Sequence, residues 1–168
     1  MEARLPMAEL YPIDERIVQA VAAALAEIST DNGFATDIAE VFRPRRTGEG
    51  FAPRDMGVAV RVLSDDPTGE GEMGQPQPPA AWRRMVLGLD VCVRLSERDL
   101  RPMDQVLSIV KGDVIAATMA DGIWGGLAMN TTVGRQTYYA DSRGFEGVVI
   151  EPGIDYATAP DDTYENRI

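Results

Sequence analysis

Apolar residues first fall into register at Ile13. Ile13, Ile17, Val21, Ala24, Leu25 and Ile28 share one helical stripe. Asp14 and Glu15 stand in the first turn, where carboxylates suit the helix dipole, and Gly33 of Asp31-Asn32-Gly33 is expected to close the helix. Residues 36–42 are short and β-branched enough for a strand, which Arg43-Pro44-Arg45-Arg46-Thr47-Gly48 breaks. Val58, Val60 and Val62 alternate as a second strand. Met85, Leu87, Leu89, Val91, Val93 and Leu95 alternate against Arg84, Asp90 and Arg94 as a third, the strongest period-2 signal in the chain.

Pro102 suits the first helical position of a second helix, whose buried stripe is Met103, Val106, Leu107, Val110, Val114 and Ala117. Gly112 weakens that helix by about 1 kcal/mol relative to alanine. It ends before Gly122. Residues 127–139 and 145–156 alternate again, with Ser142-Arg143-Gly144 as a hairpin turn between them. Pro152-Gly153 interrupts the last strand, which predicts a bulge or an edge position.

These elements predict an α+β fold, a mixed and mainly antiparallel β-sheet packed by two main helices in the order α-β-β-β-α-β-β. Residues 1–12 read as an N-terminal arm and 13–168 as one domain. Within it, residues 65–79, DDPTGEGEMGQPQPP, offer almost nothing to bury, so a flexible loop or a segment that orders on binding is expected there.

A length of 168 residues fits one domain with a sizeable core. No leader-like start and no run of about 18 apolar residues is present, which points to a soluble chain made and kept in a cytoplasm. Cys92 is the single cysteine and histidine is absent, which removes an intramolecular disulfide, multi-cysteine zinc sites and nucleophile systems that use imidazole. The net charge of -11 repels nucleic-acid phosphates and anionic membranes. Arginine supplies all the basic residues except Lys111, a bias that genome composition explains as readily as bidentate binding does.

Gly69-Glu70-Gly71-Glu72-Met73-Gly74 spells G-x-G-x-x-G, but no strand is expected before it, prolines follow it, and Glu70 and Glu72 oppose a phosphate. Asp65-Asp66 and Asp161-Asp162 lack the ligand alternation of a calcium loop and read as solvated turn acids. Asn130-Thr131-Thr132 spells a glycosylation acceptor that means nothing without secretion. DGIWGGLAMN, residues 121–130, looks like a phosphate cradle, yet it follows a helix, whereas phosphate loops precede one. It is expected to be a connector, with Gly122 ending the helix, Gly125-Gly126 reversing the chain, and Trp124 covering the helix end or touching another subunit. Arg43, Arg45, Arg46 and Arg54 form the one basic patch, either a solvated loop or a surface for an acidic partner or neighbouring subunit. No catalytic residue, cofactor or metal site is expected.

Four stretches and the order of elements resemble the tail terminator (tail completion, minor tail protein U-like) family of tailed bacteriophages. They are DNGFATDIAEVFRPRR after the first helix, the RMVLGLDVCVRL strand, the ADGIWGGLA exit from the second helix, and VVIEPGIDYATAPDDTY. The resemblance covers about residues 13–164. It implies a non-enzymatic virion protein, made in the host bacterial cytoplasm, that forms a homo-hexameric ring at the tail–neck junction. Its partners would be the major tail tube protein, a neck or head-completion protein, and DNA passing through the lumen without specific binding; no membrane is involved. Against the family pattern the acidic 65–79 loop is long, and the arm before Pro12 has no counterpart. The alternatives are another head-to-tail neck or connector protein and a small histidine-free enzyme or nucleotide-binding regulator.

Overall fold

The computed structural model describes residues 11–45, 49, 51, 53–70, 80–141, 144–159 and 161–166. The arm at 1–10 and the acidic, proline-rich stretch at 71–79 lie outside the described residues. In chain order the elements are α1 (Ile13–Ala26), β1 (Glu40–Phe42), β2 (Met56–Glu70), β3 (Ala81–Val93), α2 (Met103–Ala120), β4 (Asn130–Thr132), β5 (Gln136–Ala140), β6 (Glu146–Ile150), β7 (Gly153–Ala159) and β8 (Asp162–Asn166). The fold is α+β, with a mainly antiparallel sheet and two main helices.

Both helical stripes do what their spacing requires. Ile13, Ile17, Val21 and Leu25 of α1, and Val106, Leu107, Val110, Val114 and Ala117 of α2, are buried in one cluster. The alternating residues Met85, Leu87, Leu89, Val91 and Val93 of β3 meet them, joined by Val58, Val60, Val148, Ile150, Ile154 and Tyr156. Two helices therefore cover one face of the sheet. The opposite face carries a second, smaller cluster of Phe51, Ala59, Cys92 and Phe145, with Phe42 against it.

α1 stops at Ala26, and the Glu27 amide bonds back to Ala24 and Leu25. Gly33, at φ 88°, closes a separate short 3-10 turn, Thr30–Asn32, rather than α1 itself. The strand expected over 36–42 shortens to β1, because Thr36 turns inward and its hydroxyl donates to Asp113 of α2 at 2.6 Å. β1 pairs parallel to β2, the one parallel pair among the described strands. Inside α2, a Cβ on Gly112 would meet nothing within 4 Å. Gly112→Ala should accordingly raise stability by about 0.5–1 kcal/mol in a denaturant titration; no gain would mean that α2 is held at that point by something other than its own backbone.

Two further expectations need correction. Residues 65–70, expected in a loop, are the outer part of β2, where Asp65 to Glu70 pair with Met85 to Ala81 through one register shift, between Pro67 and Gly69. The segment buries little of its own, but ladder hydrogen bonds to β3 offset the cost of ordering it. Pro152 also marks neither a bulge nor an edge. β6 and β7 pair with β3 in one unbroken register, Leu89 opposite Ile150 and Val86 opposite Gly153, and the Leu87 amide donates to the Pro152 carbonyl at 3.0 Å. They are one long strand that lacks a single donor at its middle. The irregularity falls on the neighbouring pair instead: Thr132 opposes Gly153 while Gln136 opposes Ile150, so one extra residue is accommodated between β4 and β5.

Candidate assembly surface

The exit from α2 is where sequence first suggested chemistry. Asp121 follows the helix with a non-helical backbone, and Trp124, Gly125 and Gly126 all take positive φ, at 51°, 66° and 87°. Right-handed Ile123 followed by left-handed Trp124 turns the amides on either side toward one point, the geometry of an anion nest. The anion is the protein's own. Asp121 Oδ2 accepts from the Gly125 amide at 2.7 Å, and Oδ1 from the Ile123 amide at 3.3 Å. The Trp124 indole is buried, and its Nε1 donates at 2.9 Å to the Thr131 hydroxyl, which donates in turn to the Gly122 carbonyl at 2.8 Å. Asn166 of β8 donates to the Gly126 carbonyl. The connector reading describes this loop, and of the two roles expected for Trp124 the structure gives the cover over the helix end. A side chain this enclosed is not a contact surface for another subunit.

The arginine patch is divided. Arg43 donates from both terminal nitrogens to Glu15 of α1, at 2.6 and 3.0 Å, so it clasps the loop to the helix. That bidentate bond holds the Glu15 carboxyl below its ordinary range despite some opposing desolvation. Its contribution is complete above the usual carboxylate pKa and disappears as pH falls through the lowered one. Both partners are partly exposed, so the pair adds well under about 1 kcal/mol. Arg45 and Arg54 are exposed, and the Arg45 amide donates to Glu49 at 2.6 Å. Arg46 lies outside the described residues.

Strand pairing adds residues that the sequence reading did not group. Phe42 and Phe51 stack with centroids 5.2 Å apart, and Arg94 lies over the Phe145 ring at 5.7 Å. Arg61 donates to the Glu49 carbonyl. These contacts gather Phe42, Phe51 and Phe145 on the sheet face opposite the helices, with the exposed Arg94 beside them. Further along that face Arg84 bonds Asp155 at 3.0 and 3.2 Å and the Thr132 hydroxyl at 2.8 Å, while the Tyr139 hydroxyl donates to Asp90. Burial, then Asp90, pushes the Tyr139 phenol above its ordinary range, so it remains a donor at any working pH. The alternation of Arg84, Asp90 and Arg94 along β3 was the one sequence signal that these polar groups share a face.

A third polar group lies on the helix face, past the end of the core. Tyr156 donates to Asp65 Oδ2 at 2.7 Å, and Arg83 Nε to Asp65 Oδ1 at 3.1 Å. It fastens the outer part of β2 across β3 to β7. Tyr156→Phe is expected to cost about 1–2 kcal/mol, a hydrogen bond to a charged acceptor, measured by urea unfolding; an unchanged midpoint would show that this end of β2 is not held by Asp65.

Among the described residues no three His, Cys, Asp or Glu side chains are grouped to hold a metal ion, and no described helix is long and apolar enough to cross a membrane. Of the G-x-G-x-x-G stretch, Gly69 and Glu70 end β2, so a strand does precede it. Residues 71–74 are outside the described residues, and the next element is β3 rather than the helix a dinucleotide site requires. The polar groups around Asp65, Arg84, Asp90 and Asp121 are thus intrachain ties, and among the described residues β5 forms a sheet edge with no strand on its outer side. No family model matches the chain, and no curated protein is significantly similar to it.

Proposed function

We propose that this chain is a tail terminator of a tailed bacteriophage: a structural protein, acting by assembly rather than catalysis, that forms a hexameric ring on the finished tail tube. The ring would stop tube polymerisation and present the docking surface for a neck or head-completion protein, at the tail–neck junction of the virion. The observation that carries the reading is the α2 exit. The word ADGIWGGLA, which resembles the family's glycine turn after its second helix, forms a self-capped connector from α2 to β4.

Two other features support it. The net charge of -11 suits a lumen through which DNA slides without sticking. The exposed Arg45 and Arg54, and Arg94 over the Phe145 ring, suit contact with an acidic neighbour, including the rest of this acidic chain. The test is negative-stain microscopy and native mass of the purified full chain with and without tail tubes. Six-membered rings on one tube end are expected; a strict monomer that never binds tubes would overturn the reading. Binding to the neck face alone, away from tubes, would instead assign the chain to the neck connectors.

A further inference from the structure

β5 is an edge strand: it pairs with β6 on one side, and no described strand lies on its other. The direction of its backbone groups follows from the ladder. The Glu151 amide donates to the Arg135 carbonyl, and the Asp141 amide to the Phe145 carbonyl, so Arg135 and Asp141 both belong to hydrogen-bonded pairs with the β6 side. Alternation in an antiparallel ladder then turns Thr137 and Tyr139 toward β6, and the N–H and C=O groups of Gln136, Tyr138 and Ala140 outward. These five residues contain no proline and no lysine, the usual devices that blunt an exposed edge.

The sequence around this edge reads Arg135-Gln-Thr-Tyr-Tyr-Ala-Asp141, with opposite charges three residues either side of Tyr138. An antiparallel copy centred on Tyr138 would set Gln136 opposite Ala140 and Tyr138 opposite itself, matching outward groups to outward groups. The same register sets each Arg135 opposite the other copy's Asp141, on one face. A register one residue away would place outward groups opposite inward ones and lose both charge pairs.

We propose that two free chains pair across a two-fold axis through this β5 edge, in the register centred on Tyr138. Asp141 already accepts from the Phe145 amide, and a carboxylate has room for further donors. One term opposes the pairing: Lys111 of α2 reaches the Tyr138 hydroxyl at 2.8 Å, so two ammonium groups flank the axis on the helix face. The pair is therefore weak and reversible, and salt acts on it in both senses. In a ring whose six subunits point the same way, no two-fold axis relates neighbouring subunits, so the contact belongs to chains not yet assembled. The inference does not rest on the tail terminator reading.

Sedimentation velocity of the full chain across a concentration series tests it, together with amide hydrogen exchange at Gln136, Tyr138 and Ala140. Ala140→Pro removes only an outward donor, and Tyr138→Lys puts like charges on the axis. Each should shift the dimer dissociation constant at least tenfold, with Arg135→Asp doing the same, while exchange at Tyr138 and Ala140 in the unsubstituted chain slows as concentration rises. A monomer at all concentrations, exchange independent of concentration, or an assembly indifferent to both Ala140→Pro and Tyr138→Lys would overturn it. A six-fold assembly that ignores these changes would overturn the pairing and leave the ring reading standing.

Discussion

Trp124→Ala is expected to lower the unfolding free energy by about 3–5 kcal/mol, the largest single loss foreseen in this chain. The indole is buried in the main core and roofs the exit of α2. Removing it leaves a cavity and takes away the donor to Thr131, which also ties Gly122 to β4. Trp124→Phe separates the two effects: it keeps most of the ring volume and should cost about 1–2 kcal/mol. Because the indole faces inward, Trp124→Phe should leave self-assembly unchanged. A loss below about 1 kcal/mol for the alanine variant in urea unfolding would mean that the exit is held by Asp121 and the glycines alone.

Gly147→Ala should cost about 3 kcal/mol, for a reason that lies in a neighbouring strand. The Tyr139 side chain crosses Gly147 to reach Asp90, and a Cβ there would press on the Tyr139 ring and on the Val91 backbone carbonyl. The ring can swing aside, whereas the carbonyl sits in the β3–β6 ladder and cannot move without breaking it. Combining Gly147→Ala with Tyr139→Ala should therefore fail to restore the lost stability. Full rescue would show that the ring, and not the backbone, sets the space.

Helical stripes and period-2 alternation were legible because burial on one face leaves a mark on every turn or pleat. The stripe from Ile13 to Ile28, that from Met103 to Ala117, and the β3 alternation sufficed to predict a sheet packed by two main helices; that both lie on one face was not legible. Pairing leaves no such mark. Asp65 and Asp66 carry no alternating burial, and only the partner residues Met85 and Arg84 make them part of a strand. Pro152 looked like a strand breaker because its lost donor is visible in sequence, while the constant register of β6 and β7 against β3 is not.

The arginine patch shows the same limit. Arg43 and Arg45 look alike in sequence, but Arg43 meets Glu15 on a helix 28 residues earlier, and Arg45 stays at the surface. Trp124 could be placed beside the helix end from the glycines around it. That it covers the core, rather than facing a neighbour, depends on Thr131 and β8 arriving from later in the chain. That the glycine turn follows a helix was legible in the sequence; that its amides close on Asp121 depends on the change from right-handed Ile123 to left-handed Trp124, which the sequence does not show.

The proposed assembly role is tested most directly by a reconstruction of the intact particle that fixes the position and copy number of this chain. Six copies in one ring between the end of the tail tube and the neck are expected. Absence from the particle, or a different number of copies at any other level of the tail, would contradict it.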